Sequence, residues 1–337
     1  MVKLINVQTW RYGMLEYFLF ALGILLLLKG SDFLLEGASS LAKKLNIHKL
    51  VIGLTIVALG TSLPELFVSI VASLNGNPDV IIGNIIGSNI ANILLILGIG
   101  AVIFPFALHK NTVWKEIPFS LIAGILLLIL THKTILGIDK NVLTIGDGVV
   151  LLLFFLVFLY YTYDLIRQKN IEKEETKEEI ELVKPVLGKY WRIIGAMALG
   201  IIGLYLGGKM TVDNAVIIAK NLGISEYIIS ATVIAIGTSL PELFVTIKAA
   251  LRKEADLAIG NIVGSNIFNT LFILGIASLI SPISTKPGLL AELILMNIVT
   301  IMLFAFMFMG QKHTLKRWQG GLFLGLYVGY VISLVMR

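Results

Sequence analysis

Long apolar runs dominate the chain, and polar residues punctuate them instead of alternating with them. Tyr17–Leu28, Leu121–Leu130, Val149–Tyr161 and Leu293–Met309 each come near or reach the length of a bilayer-spanning helix. Such runs, without a period of two, predict helices and not strands. The punctuation is ordered by an internal repeat. Residues 51–100 align without a gap on residues 228–277 at a constant offset of 177, with about thirty of fifty pairs identical. Gly60-Thr61-Ser62-Leu63-Pro64-Glu65-Leu66-Phe67-Val68 returns as Gly237-Thr238-Ser239-Leu240-Pro241-Glu242-Leu243-Phe244-Val245. Gly83-Asn84-Ile85-Ile86-Gly87-Ser88-Asn89-Ile90-Ala91-Asn92 returns as Gly260-Asn261-Ile262-Val263-Gly264-Ser265-Asn266-Ile267-Phe268-Asn269. A repeat of this length sets the architecture.

The expected fold is an all-α polytopic membrane protein of ten transmembrane helices. Residues 1–165 and 188–337 form two five-helix halves around a charged linker, 166–187. The spans fall near 15–43, 48–74, 78–104, 115–131 and 143–162, then 191–220, 225–251, 256–281, 288–308 and 318–335. Five spans per half is an odd number, so the second half enters the membrane from the opposite side and the repeats are inverted. One face carries about 17 Lys and Arg residues, counting Lys43, Lys44, Lys49, Arg252, Lys253 and the linker, against about 7 on the other. Both termini are therefore expected outside a plasma membrane, with the charge run Asp164–Lys189 in the cytoplasm.

Composition removes other classes. The 337 residues are 57% hydrophobic and 14% charged, far from a soluble domain's roughly 25% charged. The net charge of +6 sits in short loops beside spans, where it marks the bilayer as partner and gives no nucleic-acid footprint. There is no cysteine, which excludes thiolate metal sites. Oligomeric state is left open by the pattern.

The informative residues are those a bilayer should reject. Glu65 and Glu242 lie mid-span, where an acid costs about 2.5–3.5 kcal/mol. Pro64 and Gly60 should break the second span and free carbonyl oxygens around Ala58–Thr61. Spans 2, 3, 7 and 8 are all expected to be broken. Asn84, Ser88 and Asn92, spaced i, i+4, i+8, share one helical face, as do Asn261, Ser265 and Asn269. Gly83 and Gly87 should admit a close neighbour. Asn89 and Asn266, off that stripe, read as helix glue. Asp32, Lys29, Glu36, Lys209 and Asp213 read as paired, structural or gating groups in spans 1 and 6. Ser62-x-x-Glu65 also reads as a capping box, but two mid-membrane copies with matching polar stripes favour a binding role. The donor set is carboxylate, amide, hydroxyl and carbonyl oxygen, which suits Na⁺ and Ca²⁺ over transition metals. Ser62 and Ser239 have no His partner, so an intramembrane hydrolase is disfavoured.

The paired Gly-Thr-Ser-Leu-Pro-Glu and Gly-Asn-Ile-x-Gly-Ser-Asn-Ile-x-Asn motifs resemble the α-repeats of the calcium/cation antiporter superfamily, in its prokaryotic sodium/calcium exchanger branch. The resemblance implies a non-enzymatic antiporter that exchanges about three Na⁺ for one Ca²⁺ by alternating access, with no cofactor beyond the transported ions. It implies Glu65 and Glu242 as shared ligands. Thr61 and Thr238 would add hydroxyl or carbonyl oxygens, Ser62 and Ser239 hydroxyls, and Ala58 and Ala235 carbonyls. Ser88 and Ser265 would hold flanking Na⁺, with Asn92 and Asn269 at the centre. Some relatives carry Asp at the last two positions; Asn here argues against K⁺ dependence. A proton-coupled Ca²⁺ antiporter on the same fold is the alternative, since protons could replace Na⁺ on buried glutamates.

Overall fold

The computed structural model describes residues 7–108, 110, 112–133, 141–169, 187–222, 235–285, 289–310 and 313–336. Most of the linker 166–187 and the first part of the seventh expected span lie outside the described residues. The elements in chain order are α1 (Val7–Leu45), α2 (Lys49–Thr61), α3 (Leu63–Leu74), α4 (Pro78–Ile103), β1 (Phe106–Ala107), α5 (Thr112–Thr131), β2 (Val142–Leu143) and α6 (Ile145–Lys169). The second half follows as α7 (Tyr190–Asn221), α8 (Ala235–Gly237), α9 (Leu240–Leu251), α10 (Ala255–Ile280), β3 (Ile283–Ser284), α11 (Leu289–Phe306), β4 (Thr314–Leu315) and α12 (Arg317–Val335).

Among the described residues, seven helices are long and apolar enough to cross a membrane, or eight if the bent pair α2–α3 is one span. The chain is therefore a multi-pass membrane protein. Its outer helices show why: Leu153, Leu156 and Val157 of α6 are all more than half exposed. That exposure is tolerable only toward lipid. The opposite holds for α4 and α10, whose apolar windows are 78% and 83% buried. Every other single-helix span stays at or below 44%. The two helices with the polar stripes are thus wrapped by the rest.

The break before Glu65 falls where proline chemistry predicts. α2 and α3 meet at 46°, hinged on Ser62 at φ −82°, ψ 6°. Pro64 stands in the first turn of α3, where a missing N–H costs nothing. Ser239 repeats the hinge at φ −86°, ψ 7° before α9. Spans 3 and 8 differ from expectation. Neither is broken; α4 and α10 run on through π-helical turns at Asn92–Leu97 and Phe268–Ile273. With no proline in either stretch, the chain widens its helix instead of interrupting it.

Close backbone contacts assemble the halves. A Cβ on Gly30 of α1 would stand 2.7 Å from Leu204 N and 2.9 Å from Gly200 O of α7. On Gly264 of α10 it would stand 2.6 Å from Leu54 O of α2. Its first-copy counterpart Gly87, and Gly83 one turn before it, meet nothing within 4 Å of that position among the described residues; the segment equivalent to Leu54 lies outside the described residues. Two short antiparallel pairs, β1 with β4 and β2 with β3, tie the end of α4 to α12 and the end of α10 to α6. The pairing is reciprocal between halves, as a two-fold relation requires.

Candidate functional site

The hinges deliver Glu65 and Glu242 to the middle of the molecule, and both are fully buried. Each is held by hydroxyls from both halves. Ser62 Oγ donates to Glu242 Oε1 at 3.1 Å, and Ser239 Oγ donates to Glu65 Oε1 at 3.3 Å. Ser88 Oγ reaches Glu65 Oε1 at 3.3 Å, as Ser265 Oγ reaches Glu242 Oε1 at 3.3 Å. Thr61 Oγ1 donates to Asn261 Oδ1 at 2.9 Å, and Thr238 Oγ1 to Asn84 Oδ1 at 3.1 Å. Every one of these contacts has its mate at the offset of 177 residues.

This geometry decides between the two readings of Ser62-x-x-Glu65. Neither Ser62 nor Ser239 caps its own helix; each hydroxyl crosses to the acid of the other half. The capping box is therefore not what these residues do.

Asn92 and Asn269 sit one turn beyond Ser88 and Ser265. Asn92 Nδ2 donates to Asn266 Oδ1 at 2.9 Å, and Asn269 Nδ2 to Asn89 Oδ1 at 3.1 Å. The helix-glue reading of Asn89 and Asn266 is thus met. The Ala58 carbonyl, expected to be bare, accepts from Ser62 N at 3.0 Å and from Thr61 Oγ1 at 3.2 Å. Ala235 opens α8 at the equivalent place.

What remains unpaired is as informative as what is bonded. Glu65 Oε2, Glu242 Oε2, Asn92 Oδ1 and Asn269 Oδ1 are buried oxygens without a hydrogen-bond partner. Among the described residues, no ion pair involves either glutamate. Two buried carboxylates without a counter-charge are costly, and four unmet acceptors add to that cost. A hard cation would answer both deficits at once. No three His, Cys, Asp or Glu side chains cluster among the described residues.

The sequence did not single out Glu116, at the start of α5. It is fully buried and accepts a hydrogen bond from the Tyr161 hydroxyl. Its repeat-equivalent is Leu293, so the signal that found Glu65 is missing. Asp32 of α1 pairs with Lys248 of α9 and with Arg252 just after that helix, which meets the expectation that it is paired.

Comparison with known proteins points the same way. The family model described as sodium/calcium exchanger protein matches residues 15–163 and 192–336. The chain is 36% identical over 317 residues to the uncharacterized membrane protein MJ0091 of Methanocaldococcus jannaschii, covering 94% of this chain and 97% of that one. It is 30% identical over 345 residues to the sodium/calcium exchanger MaX1 of Methanosarcina acetivorans, covering 95% and 98%. The solved structure of NCX_Mj soaked with Na⁺ and Sr²⁺ superposes with a TM-score of 0.79 at 34% identity, covering 95% of this chain and 99% of that one.

Proposed function

The chain belongs to the sodium/calcium exchanger protein family and is a membrane antiporter, not an enzyme, and from that premise we propose that it exchanges Na⁺ for Ca²⁺ by alternating access. The proposal includes ten spans in two inverted five-helix repeats, a plasma-membrane location, termini outside and the linker 166–187 in the cytoplasm. The carrying observation is the pair of buried, uncompensated carboxylates together with the buried, unpartnered amide oxygens of Asn92 and Asn269. In this reading Glu65 and Glu242 are the shared ligands, with Thr61, Thr238, Ser62, Ser239, Ser88, Ser265, Asn92, Asn269 and the carbonyls of Ala58 and Ala235 completing the sites.

The charge arithmetic supports exchange. Glu65 and Glu242 supply two negative charges and the asparagines none. Ca²⁺ leaves the cluster neutral; three Na⁺ leave it at +1. Both loads together would set five positive charges against two negative ones, so they compete. One net positive charge then moves with Na⁺ per cycle, and the membrane potential biases it by about 2.3 kcal/mol per 100 mV.

Gradient-driven ⁴⁵Ca²⁺ flux in proteoliposomes, with Na⁺ and H⁺ varied one at a time, is the test. Uptake driven by an outward Na⁺ gradient and shifted by a valinomycin-set K⁺ potential is expected. Uptake driven by pH alone would replace Na⁺ by protons, and indifference to voltage would remove the three-to-one count.

A further inference from the structure

The oxygens that Asn92 and Asn269 leave unmet are oriented from behind by two residues outside the ligand set. Asn266 Nδ2 donates to the backbone carbonyl of Asn89 at 3.3 Å, and a carbonyl can only accept. The Asn266 amide is therefore fixed with Oδ1 toward Asn92. Asn92 must answer with its Nδ2, at 2.9 Å, and its own Oδ1 is left pointing away from Asn266. The other half reaches the same result by a different route. Asn89 Nδ2 donates to Thr270 Oγ1 at 2.8 Å and faces Met296 Sδ at 3.5 Å. A thioether cannot donate, so Asn89 Oδ1 is the atom turned to Asn269, which answers with Nδ2 at 3.1 Å. All four amides are essentially buried, so no water competes to turn them.

We infer that Asn89 and Asn266 are positioning residues for cation coordination: they lock the amides of Asn92 and Asn269 with oxygen toward the central site. Buried partners behind metal ligands act in this way elsewhere, fixing the orientation of the group in front. The arrangement also suits the amides at 92 and 269: an ionised carboxylate at either place would set an oxygen against the amide oxygen of Asn266 or Asn89. The inference rests on the exchange reading above.

The test is Na⁺-driven ⁴⁵Ca²⁺ uptake by the full chain in proteoliposomes, read as apparent KM for Ca²⁺ and maximal rate at matched protein. Asn89→Leu and Asn266→Leu keep the branched heavy-atom outline, in a somewhat larger side chain, and remove the acceptor. Each should raise KM by roughly 10- to 100-fold, with the maximal rate at saturating Ca²⁺ held within about twofold. Asn89→Asp and Asn266→Asp keep an oxygen toward the ligand amide, and their protonated hydroxyl can replace the lost donor. They should return KM to near the unsubstituted value. Leu variants with unchanged KM, a loss confined to maximal rate, or Asp variants no better than Leu would each overturn the inference. A Leu variant that does not assemble is replaced by Ser at the same position, whose hydroxyl is too short to reach the ligand amide, under the same criteria. Absence of Na⁺-driven uptake in the unsubstituted chain would sink the exchange reading; normal uptake with unmoved Leu variants would sink only the positioning role.

Discussion

The carboxylate shell at the centre of the molecule follows the repeat, whereas one end of it does not. Around Glu65 and Glu242, four pairs of hydroxyl and amide contacts match at 177 residues. The departure is one step further out, where Asn84 Nδ2 donates to Glu65 O at 3.3 Å and its counterpart Asn261 Nδ2 has no partner among the described residues. Where α1 meets α9, Asp32 is held by Lys248 Nζ at 3.1 Å and Arg252 at 2.6 Å. Nearby, Glu254 takes Lys49 Nζ at 2.8 Å and Ser39 Oγ at 3.1 Å. The equivalent place in the other half, between α7 and α3, has Lys209 for Asp32, Val71 for Lys248, Asn75 for Arg252 and Asn77 for Glu254. There the two helices touch through an edge contact of Phe67 on Tyr205, with ring centroids 6.5 Å apart. Symmetry is kept around the proposed ion site and lost where α1 packs on α9 through charge pairs.

The largest expected effect tests the symmetric part. Glu65→Gln and Glu242→Gln should each abolish Ca²⁺ flux, and to the same degree, because each acid takes hydroxyls from both halves. A carboxylate that merely supported a helix end would instead lower stability by about 0.5–2 kcal/mol and leave flux largely intact. Flux at matched reconstituted protein separates the two. Near-normal transport by either variant breaks the assignment, and a large inequality between them breaks the symmetry.

That symmetry was legible in the chain because it is written in identities at constant spacing. Glu65 and Glu242 stood out by being acids in apolar runs, and Pro64 gave the position of the hinge. The widened turns at Asn92 and Asn269 were not legible: without a proline, nothing local distinguishes a π-helical turn from ordinary helix. Asn89 and Asn266 fell off the polar stripe by helical periodicity, and their role shows only once two helices face each other. The partner of Asp32 lies 216 residues away in Lys248, a distance that no periodic pattern spans. Glu116 lacked a repeat mate altogether. Sequence pattern thus found what is repeated and missed what is paired once.

A second, smaller effect concerns the crossing of α1 with α7, which both halves build from glycine. Ala at Gly30 or at Gly200 would bring a methyl within 2.7 or 2.6 Å of facing backbone nitrogen, so the helices must part. If this pair moves across the core during exchange, either substitution should lower the maximal flux by roughly tenfold while KM for Ca²⁺ holds, since no ligand is touched. A change in KM with unaltered maximal flux would tie the crossing to the site instead of the movement.

The smallest effect addresses the asymmetric end. The Asp32 pairs are about a third exposed, so each is worth about 0.2–1 kcal/mol. An energy of that size cannot decide whether the protein folds. It can shift a two-state equilibrium by about 1.5- to 5-fold for each pair lost. Asp32→Asn should therefore favour the state in which α1 has left α9, opening the end proposed to face the cytoplasm. The chain has no cysteine, so a single Cys at Ser39, beside Glu254, reports that opening through its rate of reaction with a membrane-impermeant maleimide in inverted vesicles. Asp32→Asn should raise that rate by a few-fold, and exchanging the charges in Asp32→Arg with Arg252→Asp should bring it part of the way back. High ionic strength set with choline chloride should act in the same direction as Asp32→Asn, because partly exposed pairs are screened. Val71→Ala and Asn75→Ala, at the equivalent positions of the other half, should leave the rate unchanged. Equal responses at both ends would mean that the pairs are ordinary surface contacts and that the loss of symmetry there carries no bias.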